Sequence, residues 1–393
     1  MSKGGFSDRR LRRMHDVLAA YVERGELPGL ITLVSRRGDV HVDCVGYERD
    51  TIFRISSMSK PVTAVAAMIL IEEGVIRLDD PVDGFLPELA NIKVLRRVDS
   101  PLDDVVPVNR AIMVRDLLTF TLGTGLIFAL PGTYPIQEAI DQAGLGPGAP
   151  DPSRQPAPDE WIRRLASLPL LYQPGDRWMY NIGSEVLSVL ISRASGRRLD
   201  DFMRERIFDP LGMRDTGFWV SEDAIDRLVT SHALDTTGKL VLNDAARGGS
   251  WSRPPAFPSG AGGLVSTADD FARFGEMMLN HGSLDGTRIL SRPTVETMTS
   301  DQLTSDQKAR TPWLPGYFET HGWGFGMSVV TRRDEIASSI GKYGWDGGMG
   351  TSWYSDPAEE MVTILMTQVS WSSPNPPNVF RDFWTLSYSA IDD

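Results

Sequence analysis

Ser7 precedes Leu11, Met14, Leu18, Tyr21 and Val22 at helical spacing and Gly25 follows them, which predicts an amphipathic helix over about residues 8–24 with Arg9, Arg10, Arg12 and Arg13 on its wet face. Two β-rich runs come next, Leu30–Ser35 and Val40–Gly46, and the Arg36-Arg37-Gly38-Asp39 between them reads as a hairpin turn. The same texture returns near the other end of the chain, at 326–331, 350–354 and 361–369. Pro377 then opens a last helix with Phe380, Phe383, Trp384 and Tyr388 on one face. The middle differs. Val62–Ile71 is apolar all round, the mark of a buried helix. Helices are also expected over 114–121, 161–168, 184–195 and 199–208, with Gly196 as a stop, and from Thr267, capped by Asp269 and Asp270, to about Asn280. The Pro- and Gly-rich stretches 131–158 and 253–263 read as loops, and no internal repeat is present.

This pattern predicts an α/β unit built from residues 1–55 and 250–393, with sheet strands from both chain ends, and a mainly helical part over 56–249. The interface between the two is where a site is expected.

Composition narrows the function. With 41% hydrophobic and 23% charged residues the chain is an ordinary globular protein, and a formal charge of −12 disfavours binding to nucleic acid or to an anionic membrane. A neutral or weakly polar small molecule fits better as substrate. Cys44 is the only cysteine, so neither an internal disulfide nor a Cys-based metal site can form. The stretch after the N-terminal arginines is short and closed by Glu23 and Arg24, and the longest apolar run falls short of the ~20 residues that span a bilayer, so a cytoplasmic protein is expected.

The sharpest chemical signal is Ser57-Met58-Ser59-Lys60, followed by Pro61 and the buried helix. At i and i+3 the Ser57 hydroxyl and the Lys60 amine lie on one helix face within hydrogen-bond reach. The helix N-terminus offers N–H groups to an oxyanion, and the apolar surroundings desolvate Lys60 and favour its neutral form, which can take the serine proton. Other chemistries lack support. The five histidines form no close pair, no Gly-x-Ser-x-Gly elbow exists, and the glycines at 144, 146 and 148 sit in a proline-rich loop. Asp79-Asp80, Asp103-Asp104 and Asp269-Asp270 fall at turns or helix starts, so neither a metal nor a cofactor is expected.

The segment from Phe53 to Thr63 resembles the active-site segment of the serine β-lactamase and penicillin-binding-protein superfamily, and most closely its class C-like branch with the family VIII carboxylesterases. Val114–Thr119, Gln173–Gly175, Asp209–Met213 and Gly262–Asp270 resemble further segments of that branch in the same order. The resemblance implies an α/β + α protein of the β-lactamase/transpeptidase-like fold, an antiparallel sheet flanked by helices with a mainly helical insertion. It implies that Tyr180, in Trp178–Glu185, is the tyrosine beside the nucleophile; Ile182 stands where lactamases carry asparagine. Whether Lys60 or Tyr180 holds the proton at rest is left open. The third element, which opens an edge strand in the family, corresponds to Trp345-Asp346-Gly347-Gly348. By resemblance the backbone N–H groups of Ser57 and Gly348 form the oxyanion hole, and Trp345, Asp346 and Gly347 belong to the substrate pocket. Trp345 removes the lysine that would pair with a lactam carboxylate. The implied activity is a serine carboxylesterase that hydrolyses short-chain esters through an acyl-enzyme on Ser57. A β-lactamase or D-amino-acid peptidase, an acyltransferase, and a catalytically silent scaffold are the alternatives.

Overall fold

A computed structural model describes residues 4–146, 148, 150–311 and 313–393. Its centre is a seven-stranded antiparallel sheet. The strands are β1 (Leu30–Arg36), β2 (Asp39–Val45), β3 (His321–Trp323), β4 (Ser328–Val330), β5 (Tyr343–Gly347), β6 (Thr351–Asp356) and β7 (Met361–Met366), in spatial order β3-β4-β5-β6-β7-β1-β2. The first two are joined as expected. Arg36 faces Asp39 across the ladder, and Arg37 and Gly38 between them have φ of 50° and 76°. Two positive φ values make the two-residue turn whose twist matches that of a hairpin.

Helices cover both faces. Behind the sheet, α1 (Asp8–Glu23) packs on the C-terminal helix, and Leu11, Met14 and Leu18 meet Val379, Phe380 and Phe383 over Leu30, Val34, Met361 and Leu365. In front lie α2 (Ser59–Glu72), α3 (Ile182–Ser195) and α4 (Ala268–Leu279); α5 (Asn378–Ser389) is the C-terminal helix behind. Period-two alternation sends Ile31, Leu33, Val362 and Ile364 to the front, so the central strands are apolar on both sides. The front core is continuous from these strands through Val62 and Ile69 of α2 to Val186 and Leu190 of α3. The sheet and the helical part therefore share one core.

Element edges moved where local geometry intervened. The helix expected over 114–121 ends at Leu118, just before Phe120 turns to φ 59°. Leu199–Met203 is α-helical but Arg204–Phe208 continues as a π-helix. The stretch 131–158 holds a helix, Pro135–Gln142, whose Gln137 Oε1 accepts from the Tyr134 N–H at 2.9 Å. Pro158 rather than Trp161 opens the next one, because proline suits the first helical position. A β-hairpin, Ser231–Leu234 with Leu240–Asp244, was not legible amid the helical texture. Among the described residues no helix is long and apolar enough to cross a membrane.

Candidate active site

Ser57 lies in a 3₁₀ turn, Ser56–Met58, that runs directly into α2. Two anchors hold this turn. Phe53–Arg54 pairs with Val265–Ser266, and Ile55 donates to Leu264 O at 3.0 Å and accepts from Thr351 Oγ1 at 3.1 Å. Between them Ser56 is forced to φ 48°, a conformation that costs a non-glycine residue about 1–3 kcal/mol and persists only where the surroundings impose it. Ser59 is committed elsewhere: its Oγ accepts from the Leu264 N–H at 3.1 Å.

Lys60 is fully buried. Its Nζ donates to Ser57 Oγ at 2.9 Å and to Ala261 O at 2.6 Å, and lies 4.6 Å from the centre of the Tyr180 ring. Burial holds the ammonium well below its ordinary pKa, because α2 is apolar around it, while Glu185 acts in the opposite direction. The i,i+3 spacing thus brings a desolvated amine within hydrogen-bond reach of a serine hydroxyl.

Tyr180 is presented by a tight turn. Asn181 has φ 86° and ψ −58°, and the Ile182 N–H reaches back to Tyr180 O at 3.3 Å, a γ-turn of the strained sense immediately before α3. Asparagine tolerates positive φ better than most residues, which is the legible trace of this turn. The phenol oxygen accepts from Trp345 Nε1 at 2.7 Å and stands near enough to the Ser57 side chain for that group to favour its charged form. Burial nonetheless raises the phenol above its ordinary value, so it stays protonated where Lys60 is already neutral. Of the two groups, the amine is therefore the one that gives up its proton first.

The third element requires correction. β5 is an interior strand, since β3 and β4 continue the sheet beyond it. Trp345 is only 8% exposed, sits in an aromatic cluster with Phe120, Trp178 and Trp323, and does not line the cleft. Alternation along β5 turns Asp346 to the back of the sheet, where it accepts from Tyr354 Oη at 3.0 Å, and Tyr354 packs on Trp384 of α5. Asp346 is therefore not a pocket residue. Gly347 also lies outside the cleft lining: a Cβ there would stand 2.3 Å from Ile55 O, so glycine lets β5 approach the nucleophile turn. Gly348 does line the cleft with Ser57, and open space lies where its Cβ would be.

The cleft has a volume of about 1110 Å³. Ile127, Ile140, Trp161 and Leu165 give it apolar lining, and Ser57, Tyr180, Glu185, Ala261 and Gly348 line it as well. Glu185 received no role in the sequence reading. It is the one carboxylate of its helix and lies in the first turn, close behind Tyr180 in the chain.

A family model described as Beta-lactamase matches residues 14–379. The chain belongs to the Beta-lactamase family. It has the β-lactamase/transpeptidase fold and with it the character of a serine hydrolase. Protein Rv1367c of Mycobacterium tuberculosis is 38% identical over 361 residues, covering 88% of this chain and 87% of that protein. Esterase EstB of Burkholderia gladioli is 28% identical over 394 residues, covering 93% and 92%. Among solved structures, EstCE1, titled a hydrolase with promiscuous acyltransferase activity, superposes with a TM-score of 0.78 at 24% identity over 98% of each chain. These likenesses support the esterase branch of the Beta-lactamase family.

Proposed function

We propose that this protein is a serine carboxylesterase that forms an acyl-enzyme on Ser57, with Lys60 as general base and Tyr180 as proton donor. The observation that carries the reading is the 2.9 Å hydrogen bond between Ser57 Oγ and a buried, desolvated Lys60 at the wall of a large cleft. Ser57 Oγ attacks the ester carbonyl and its proton passes to Lys60 Nζ. Charge developing on the carbonyl oxygen is met by the Ser57 and Gly348 N–H groups. The phenol of Tyr180 protonates the departing alkoxide and recovers its proton from the Lys60 ammonium; water then reverses these steps to release the acid.

A neutral ester is favoured over a β-lactam by the charges of the cleft. Its lining carries Asp141, Asp151, Asp244 and Glu185, and among the described residues only one arginine, Arg154, which is paired with Asp151 at 3.0 Å. A substrate carboxylate would lose water without gaining a free cation. EstB, an esterase by name, supports the same choice. The cleft exceeds the usual range of about 300–1,000 Å³ for small-molecule sites, so acyl or alcohol groups much larger than those of short esters fit. That room also favours acyl transfer to a bulky alcohol as a second reading.

The test is kcat/KM for p-nitrophenyl butyrate beside nitrocefin, with fluorophosphonate labelling mapped by mass spectrometry. Ester preference and modification of Ser57 are expected. Preference for the lactam, or a label on another serine, would overturn the proposal. Product analysis with an added alcohol separates transfer from hydrolysis.

A further inference from the structure

Glu185 takes no part in the steps above, although it is a carboxylate only 8% exposed on the first turn of α3. Its Oε1 accepts from Ser259 Oγ at 2.7 Å, and the Ala261 N–H is near enough to favour its charged form. Its Oε2 is buried with no hydrogen-bond partner among the described residues, in a side chain that lines the cleft with Ser57 and Tyr180. Burying a carboxylate costs several kcal/mol unless a charge or hydrogen bonds compensate it. Packing alone would be served as well by an apolar residue such as the Val186, Leu187, Val189 and Leu190 buried further along this helix.

The Ala261 peptide joins Glu185 to the base. The Ala261 N–H favours the charged form of Glu185, and its C=O accepts from Lys60 Nζ at 2.6 Å. Other polar groups around the pair, from α2, from the turn before α3 and from the 259–261 segment, are Ser57, Tyr180, Thr63 and Ser259. Tyr180 is the one titratable group among them, and it is a neutral phenol. Lys60 and Glu185 act on one another: burial lowers the amine and raises the carboxyl, and each favours the charged form of the other.

We propose that Glu185 is the positioning residue of the Lys60 base: through Ala261 it fixes the direction of the amine, and it supplies the negative charge that offsets the ammonium formed when the Ser57 proton arrives. This rests on the reading of Ser57 and Lys60 given above. The form of Lys60 that acts as base is the neutral amine. In the transition state the proton leaves Ser57 Oγ for Lys60 Nζ, and a cation appears in a site with little water. A carboxylate beside it lowers the energy of that state and holds the proton on Lys60 at pH values where it would otherwise be lost.

The experiment is Glu185→Gln in the full chain, with kcat and KM for p-nitrophenyl butyrate and the fluorophosphonate labelling rate measured across pH. Gln keeps the shape and can still accept from Ser259 and Ala261, but carries no charge. The acid limb of kcat/KM should move to lower pH by about one unit, since removal of an opposite charge at this range lowers a lysine pKa by that order. The plateau of kcat should fall about tenfold, one pKa unit being a factor of ten, with KM within about twofold. Glu185→Asp, which restores the charge, should return the limb toward the wild-type pH. A Gln variant with the wild-type profile and kcat overturns the inference, and so does an Asp variant that behaves like Gln. If Gln does not fold, an Asp variant whose limb is displaced from the wild-type pH overturns it as well, and one that keeps the limb supports it. Ser57→Ala, run in parallel, keeps the two claims apart: a dead Ser57→Ala beside an unchanged Glu185→Gln removes only this one, whereas an active Ser57→Ala removes the proposed function itself.

Discussion

Lys60 and Lys342 are both buried, both donate to a backbone carbonyl, Ala261 O at 2.6 Å and Ala337 O at 2.7 Å, and both lie over a tyrosine ring, 4.6 Å from the centre of Tyr180 and 4.5 Å from that of Tyr354. Burial lowers the pKa of each, against the pull of nearby carboxylates, Glu185 for one and Asp356 and Asp346 for the other. What separates them is the face of the sheet. Lys60, in front, touches a serine hydroxyl at the wall of the cleft; Lys342, behind, is enclosed by Tyr354, Trp384 and Tyr388. A perturbed amine therefore does not mark an active site by itself. The mark is the combination with a nucleophile in reach and an open volume beside it.

Mutations can break this comparison at several depths. The largest effect expected is for Ser57→Ala, which should reduce ester hydrolysis by ~10³-fold or more, whereas Ser59→Ala, which loses only a bond to a backbone N–H, should stay active. Next, Lys60→Met should lower kcat by ~10²-fold or more, the scale of general-base catalysis, while Lys342→Met leaves it within about twofold. Equal losses at the two lysines would show that burial, not contact with Ser57, is what matters. Tyr180→Phe should cost about 10²-fold in kcat with less effect on KM, because a proton donor is lost while the ring still packs.

The pH profile sharpens the same contrast. Only neutral Lys60 can take the serine proton, and burial moves its deprotonation down from the usual 10.5. Activity should rise with pH and level off well before the ordinary lysine range; a limb near pH 10 would mean that the amine is not desolvated in solution. Smaller still, Trp345→Phe removes one hydrogen bond to the phenol, worth about 1 kcal/mol or roughly a fivefold loss in kcat. Asp346→Asn, on the back of the sheet with Lys342, should change kcat less than about twofold.

How much of this was legible in advance varies from residue to residue. Ser57 and Lys60 lie three apart on one helix, so their meeting is local and the geometry of any α-helix brings it about. The hairpin of β1 and β2 is local in the same way, with Arg37-Gly38 able to take the two positive φ values it needs. Tyr180 was found only through resemblance, because nothing near it in the chain says that it will stand beside residue 57. Trp345, Asp346 and Gly347 were all placed in the pocket. A motif names neighbours in sequence, but successive strand residues point to opposite faces, so one motif was divided between the site, the back of the sheet and the nucleophile turn. Glu185 was given no role, because a carboxylate in the first turn of a helix is ordinary and only the packed structure shows that it is buried.

The amino-acid sequence alone determined the apolar α2 helix with its serine and lysine on one face, the strands contributed by both chain ends, and the absence of a disulfide, because periodicity and composition act over a few residues or over the whole chain. Tertiary structure decided what these become. It sets Ser56 and Asn181 in conformations that neither residue prefers, opens a cleft beside Ser57, and closes a cage over Lys342. It also brings Ala261 and Glu185 to Lys60. Desolvation and approach between residues distant in sequence are properties of the packed core, and no local pattern encodes them.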